Sequence, residues 1–523
     1  MKNLTPHNPH KSLKTTAFAT ASIVTALSVA ERGLGFLYRI VLSRLLGAEG
    51  VGLYQVALSV FAVFLTIGTG GIPLTVSRLI SKSKAENNPY GEKSAVSAGL
   101  FLCLALTLPV SLILGFFPQT VSFLFSDERS LQIFRILLLG LSITSVYAVF
   151  RGYFWGNKQF LLPSILEIAE ETIMVVAGVL LLRNVSSVQT GANLAGWAVV
   201  ISYVFSFLAS ALCFFLHGGK LAKPQKQLKP LFNATLPITS VRASGTLVNS
   251  AVAVLLPAML VKSGLSESEA LTLFGLVTGM AIPVLFIPST IIGSLSLVLV
   301  PELSENFYRK DAKRLYENLS KGLTVSTLVA CFLLPFFYAF GDELGKIAFS
   351  EPLAGEFIRA GCPILLPMSL TMISTGMLNS MGFEKQTFIY YFIGAAAMLL
   401  CVLFLPAVCG AYAYIIGLGA SFILTSVCNL TLLGKKCPNL YRHTFKKRQG
   451  ALFHPVAKAM FTILPIALCG DLFVSLFQRF LGELLCITLS GLALLVLTAV
   501  IWGLLGIIPF KKFFPKKKIC EIS

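Results

Sequence analysis

Charged side chains are scarce in this chain. Asp, Glu, Lys and Arg make up 12% of its 523 residues, about half the share of a soluble protein, while 55% are hydrophobic and mean hydropathy is +0.81. No water-soluble fold hides that much apolar surface, so the expected solvent is lipid. Histidine is sparse too. His7, His10, His217, His443 and His454 all fall in tails or loops, which argues against a histidine proton relay inside the membrane. The eleven cysteines form no CxxC pair. Most of them, Cys103, Cys213, Cys331 and Cys362 among them, lie in apolar stretches and read as small packing residues, so no metal site or redox motif is expected. No small-residue cleavage site closes the first apolar run, which argues against a cleavable signal. Outer loops are short, the longest lying near 118–130 and 341–356. The segment Gly341-Asp342-Glu343-Leu344-Gly345-Lys346 is one residue short of a P-loop and lacks its Ser/Thr. The expectation is a protein that is not an enzyme and takes no cofactor.

What the chain does contain is a series of apolar runs, each near the 20 residues that cross a hydrocarbon core of about 30 Å. Spans are predicted near 17–42, 51–78, 95–117, 131–150, 160–183, 192–216, 233–261, 271–300, 322–340, 357–379, 387–408, 410–434, 455–478 and 482–509, fourteen in all. The net charge of +19 resides in short segments between these runs, which argues against nucleic acid and for cytoplasmic loops. With both termini on one side, that side collects thirty Lys and Arg, Arg151 among them, against six on the other. The bias predicts a multi-pass plasma-membrane protein with both termini in the cytoplasm.

The chain also repeats itself. Phe-Ser-Asp at 125–127 answers Phe-Ser-Glu at 349–351, an offset of 224 residues that also relates Arg135 to Arg359. Gly156-Asn157-Lys158-Gln159 and Gly382-Phe383-Glu384-Lys385 follow in similar register. Two repeats of six spans insert with the same orientation and are related by a pseudo-twofold along the membrane normal. The predicted fold is thus an all-α membrane protein of fourteen transmembrane helices, two six-helix bundles plus two extra helices. Its expected parts are a cytoplasmic tail (1–16), an N-lobe (17–218), a linker (219–232), a C-lobe (233–436), and a last pair of spans with a basic cytoplasmic tail (437–523).

Several stretches carry a family resemblance. They are Glu31-Arg32-Gly33-Leu34-Gly35-Phe36-Leu37-Tyr38-Arg39, Ser43-Arg44-Leu45-Leu46-Gly47-Ala48-Glu49-Gly50, Gly70-Gly71-Ile72-Pro73, Phe274-Gly275-Leu276-Val277-Thr278-Gly279, and Val300-Pro301-Glu302. The chain resembles the stage V sporulation protein B and polysaccharide-transporter branch of the MOP flippase superfamily. MurJ-type lipid II flippases are relatives, and MATE drug exporters stand further off. The resemblance implies an alternating-access flippase for an undecaprenyl-pyrophosphate-linked saccharide, most plausibly lipid II. A MATE-like drug or cation antiporter is the alternative. It implies cavity arginines that hold the diphosphate. Arg32 falls on the family's first arginine, while Tyr38 stands where the second is expected and Arg39 one place later.

Intramembrane charges cost about 2.5–3.5 kcal/mol each on insertion scales and mark functional positions. Arg32 lies about 20 Å into the first span and Arg242 about 16 Å into the seventh, its repeat partner. Guanidinium stays charged at any depth and grips phosphate bidentately, so this pair suits a pyrophosphate. Pairing with a carboxylate such as Glu31 is the simpler structural role. Arg39 and Arg78 complete the candidate substrate-binding set. Glu167, Glu170 and Glu171 share a helical face by their spacing and, with Glu31, form a candidate ion-coupling or counter-charge set. Gly71, Pro73, Gly279, Pro283 and Pro288 punctuate spans two and eight as candidate bending points. Expected partners are the lipid-linked substrate, the bilayer and a coupling cation, with the chain acting as a monomer.

Overall fold

The structure, a computed structural model, describes residues 9–185, 187–224, 227–437, 453–477 and 483–507. These are helical almost throughout, with no strand among the described residues. The first helix, α1 (Pro9–Thr69), runs 61 residues, far longer than one bilayer crossing needs. It bends at Gly47, whose φ of 67° is a left-handed value that a Cβ would oppose, so α1 supplies two successive spans. Then follow α2 (Ile72–Ala85), α3 (Pro89–Phe116), α4 (Glu128–Gly156), α5 (Leu161–Leu182), α6 (Val188–Leu216), α7 (Leu228–Lys262) and α8 (Glu267–Phe274).

Helix starts follow the local sequence. The Asn88 side chain accepts from the Gly91 amide with Pro89 in the first turn, Asp127 caps α4, and Ser266 with Glu269 forms a reciprocal capping box on α8. A π-helical stretch, Gly275–Ala281, continues from α8 into the short α9 (Ile282–Leu285). The remaining helices are α10 (Ile287–Tyr308), α11 (Ala312–Leu344), α12 (Pro352–Gly361), α13 (Leu365–Ser380), α14 (Glu384–Phe404), α15 (Pro406–Cys409), α16 (Tyr412–Lys436), α17 (Phe453–Phe477) and α18 (Glu483–Leu504).

Thirteen stretches among the described residues are long and apolar enough to cross a membrane. The first of them, Ile23–Ala85, contains the Gly47 bend and so holds two crossings. Helix α5, at 22 residues, has the length of a crossing but carries three glutamates. The predicted eighth span is divided into α8, the π stretch, α9 and α10, and it runs from 267 to 308 rather than 271 to 300. The predicted tail 1–16 is already helical from Pro9. The basic loop Arg442–Arg448, the tail lysines Lys511–Lys518, and Lys2, Lys226 and Arg479 lie outside the described residues.

The chain divides into two compact units, Met1–Gly275 and Leu276–Ser523. The first has a core where Ile72, Val76 and Ile80 of α2 meet Val149, Phe150 and Phe154 of α4, Phe214 of α6 and Leu231 of α7. The segment before α7 is strapped to α3: Ser94 Oγ donates to the Lys223 carbonyl at 3.0 Å, and the Ala222 amide donates to Ser97 Oγ at 3.0 Å. In the second unit Leu303, Leu319, Ile373, Met377, Leu378 and Leu433 form one core. Helices α17 and α18 pack on α11, where Trp502 donates to Thr462 and stacks edge-on against Phe332. Among the described residues the buried polar groups of this second unit are neutral: fully buried Asn429 donates to Ser374 Oγ at 3.1 Å and Thr375 Oγ1 at 2.9 Å.

Candidate functional site

Charge gathers where α1, α4, α5 and α6 meet in the first unit. Glu167, Glu170 and Glu171 stand on α5. An α-helix turns about 100° per residue, so the three fall within an arc of about 100° on one face. Each is directed at a different neighbour. Glu167 takes a hydrogen bond of 2.9 Å from Arg151 Nη1 on α4. Glu170 accepts from Ser206 Oγ on α6, whose side chain is fully buried. Glu171 turns to α1: its carboxylate oxygens lie 3.9 Å from where a Cβ on Gly35 would sit, an ordinary contact distance. Its Oε2 is buried with no hydrogen-bond partner.

Arg151 is the hinge of this cluster. Its guanidinium lies 5.2 Å from the Trp155 ring and 5.8 Å from the Tyr147 ring, each one turn away on α4. Such cation–π contacts contribute about 0.5–2 kcal/mol. Glu31 of α1 lies in electrostatic range of Glu167, Arg151 and Arg32, and Arg39 in range of Glu171 and Tyr54. Four carboxylates (Glu31, Glu167, Glu170, Glu171) therefore share this interior with two guanidinium groups (Arg39, Arg151), and Arg32 lies in electrostatic range from the exposed face of α1. Fully ionised and with Arg32 counted, the set carries one excess negative charge. Among the described residues, no three His, Cys, Asp or Glu side chains converge as ligands of a metal ion would.

Arg32 is exposed on α1 and Arg242 exposed on α7, and neither makes an ion pair among the described residues. Arg78 is exposed on α2, and Arg39 is half-buried. The predicted bending points all stand at interruptions. Gly71 precedes α2, Pro73 lies in its first turn, Gly279 lies in the π stretch, and Pro283 and Pro288 open α9 and α10. A Cβ on Gly71 would sit 2.7 Å from the Thr235 carbonyl oxygen, so the missing side chain lets α7 cross the break. Helix α7 follows the second half of α1, with the Thr66 and Thr246 hydroxyls 3.1 Å apart.

Three features escaped the reading of the sequence. Arg151, counted there as a loop residue, lies inside α4; the aromatics four residues to either side, Tyr147 and Trp155, were the available signal. The row Ser202, Ser206, Ser210, fully buried at four-residue spacing, marked the α6 face that meets Glu170. The third is the crossing of α1 and α8, where a Cβ on Gly52 would lie 2.1 Å from the Leu271 carbonyl oxygen and one on Gly275 2.1 Å from that of Ala48. In the sequence Gly275 and Gly279 stand at GxxxG spacing, a mark of close packing that names no partner.

Thirteen helical stretches among the described residues long and apolar enough to cross a membrane, with a charged interior in the first unit, define a multi-pass membrane protein. The profile of the polysaccharide biosynthesis protein family matches residues 18–307, and the chain belongs to that family. Stage V sporulation protein B of Bacillus subtilis (strain 168) is 26% identical over 358 residues, spanning 66% of this chain and 69% of that protein. Lipid II flippase MurJ of the same organism is 22% identical over 424 residues, 74% of this chain and 76% of its own. Among solved structures, an inward-facing multidrug resistance MATE family transporter superposes with a TM-score of 0.63 at 14% identity, over 79% of this chain and 96% of its own. Lipid II flippase MurJ in an inward closed conformation gives 0.62 at 14% identity, over 92% and 98%. At that identity the two structures establish the shared fold.

Proposed function

We propose that the chain is an alternating-access flippase that carries an undecaprenyl-pyrophosphate-linked saccharide, the peptidoglycan precursor lipid II, from the inner to the outer leaflet of the plasma membrane. In this reading it works as a monomer with both termini in the cytoplasm. The observation that carries the proposal is the pair of exposed arginines on α1 and α7, neither with an ion pair among the described residues, in a chain similar to lipid II flippase MurJ. Counted from the Gly47 bend at 1.5 Å per residue, Arg32 lies about 22 Å along one arm of α1. Helix α7 runs antiparallel to the other arm, with Thr246 beside Thr66 and Thr239 beside Gly70, so Arg242 lies about 32 Å along that arm, about two helical turns further from the bend. Each guanidinium can grip phosphate through paired N–H donors, and the two stand at successive levels of a path for the diphosphate. Arg78 extends the set along α2, and Arg39 serves Glu171 as counter-charge.

The glutamate cluster then supplies coupling. With Arg32 counted, the α1–α4–α5–α6 cluster has one carboxylate more than it has guanidinium groups and is balanced by one proton or one monovalent cation; when Arg32 takes the diphosphate the surplus rises to two. The close crossing of α1 and α8 beside Gly47 closes one end of the path, and the interruptions at Gly71, Pro73, Gly279, Pro283 and Pro288 let the flanking helices bend open. The same acidic surplus favours a second reading, a MATE-like drug or cation antiporter.

Expression in cells depleted of their own lipid II flippases separates the two. The flippase reading expects growth to be restored, and expects Arg32→Ala or Arg242→Ala to abolish rescue although the protein still inserts. Rescue by both variants removes the arginine pair. No rescue by the parent chain, together with resistance to cationic drugs in an exporter-deficient strain, selects the antiporter.

A further inference from the structure

On the first unit, away from the glutamate cluster, a crevice of about 540 Å³ opens between α3, α4 and α6 beside the Phe117–Asp127 loop. That volume falls in the roughly 300–1,000 Å³ of ordinary ligand sites. Its two kinds of wall are separate. Leu112, Phe116 and Leu139 are large, apolar and exposed, as suits acyl chains. The polar wall is made of Arg135, Gln132, Asn193 and Ser111.

That polar wall is rich in donors. Gln189 Nε2 donates to Gln132 Oε1 at 2.9 Å and to Asn193 Oδ1 at 3.2 Å, which engages both amide oxygens, so what these two lining residues can still offer a ligand is their NH₂ donors. Ser111 Oγ is buried without a hydrogen-bond partner. Arg135 is exposed, makes no ion pair among the described residues, and stands seven residues inside α4, about 10 Å from its start. No carboxylate lines the crevice. An arginine at that depth on a lipid-facing wall reaches for the phosphate level of the leaflet.

We propose that this crevice binds an anionic glycerophospholipid of the leaflet beside the Phe117–Asp127 loop, its phosphate on Arg135 and its acyl chains along Leu112, Phe116 and Leu139. A zwitterionic lipid suits it less, because its ammonium group would find no acid there. The proposal does not depend on the transport reading, since binding is read without translocation.

The test uses the delipidated full chain in detergent, titrated with phosphatidylglycerol and followed by native mass spectrometry. One lipid is expected to remain bound. Arg135→Gln is expected to weaken it about ten- to a hundredfold, the usual range for losing a charged hydrogen-bond partner. Arg135→Lys, which keeps the charge, is expected to bind within about threefold to tenfold of the parent. Gly115→Phe fills the crevice from α3, where a Cβ meets nothing within 4 Å, and is expected to weaken binding without touching Arg135. Phosphatidylcholine should bind at least tenfold more weakly, and inorganic phosphate should not displace the lipid. Equal retention by Arg135→Gln or by Gly115→Phe overturns the proposal, as does equal binding of phosphatidylcholine or displacement by free phosphate.

Discussion

Replacing Arg151 by Gln removes the charge that sits between Glu31 and Glu167, and its consequence can be worked out from the structure. Losing one partner of a fully buried pair costs about 3–5 kcal/mol, because the other charge is left uncompensated. Arg151 and Glu167 are 27% and 21% exposed, so water screens part of the loss. A destabilisation of about 2 kcal/mol is expected from the pair, with about 0.5–1 kcal/mol more from the contacts to Trp155 and Tyr147. Equilibrium unfolding in mixed micelles would measure it, and two double variants would locate its source. If the hydrogen bond matters most, neither Glu167→Gln nor Glu31→Gln restores stability in the Arg151→Gln background. If charge balance among four carboxylates and three guanidinium groups governs the cluster, either neutralisation recovers at least half of the loss. Charge balance is the expected result. Two double variants no more stable than Arg151→Gln itself would refute it.

Other consequences are direct. Glu170→Gln keeps an acceptor for Ser206 and removes a charge, so stability should change by less than about 1 kcal/mol while gradient-driven transport in proteoliposomes is lost. Asn429→Leu should cost less than about 1.7 kcal/mol, the upper end for interhelical hydrogen bonds in membranes, since its Oδ1 is already unpartnered; Asn429→Asp buries a charge and should cost more in the same unfolding assay.

The sequence announced its spans because hydrocarbon imposes a length and a polarity that survive in one dimension. It also marked the breaks at Gly70-Gly71 and around Pro283 and Pro288, since glycine and proline act on the backbone wherever they stand. What it could not convey was partnership. Arg151 ends an apolar run, and a charge at that position looks the same whether it enters a loop or turns inward to Glu167 across sixteen residues. The spacing of Glu167, Glu170 and Glu171 defined a face but not that α4, α6 and α1 each take one of them. Gly35 and Gly52 read alike as small residues in an apolar helix; only packing shows that a Cβ would be tolerated at the first, beside Glu171, and would strike the Leu271 carbonyl at the second.

The α1–α8 crossing carries one more consequence. Its two close approaches are reciprocal: Gly52 faces the Leu271 carbonyl, and Gly275 faces that of Ala48. Gly275 lies 223 residues after Gly52, and Leu271 the same distance after Ala48, within one residue of the offset that relates the repeated motifs. A contact in which residue i meets the mate of j, and j the mate of i, is what a twofold relation produces. Symmetry-related glycines should then be equivalent. Gly52→Leu and Gly275→Leu are each expected to force the crossing apart, to slow transport by a similar factor, and to make a cysteine at Ser266 react faster with a membrane-impermeant maleimide. Because either side chain opens the same contact, the double variant should add little to the single ones. Additive effects, or a silent Gly275→Leu beside a damaging Gly52→Leu, would mean that the two approaches are separate accidents of packing.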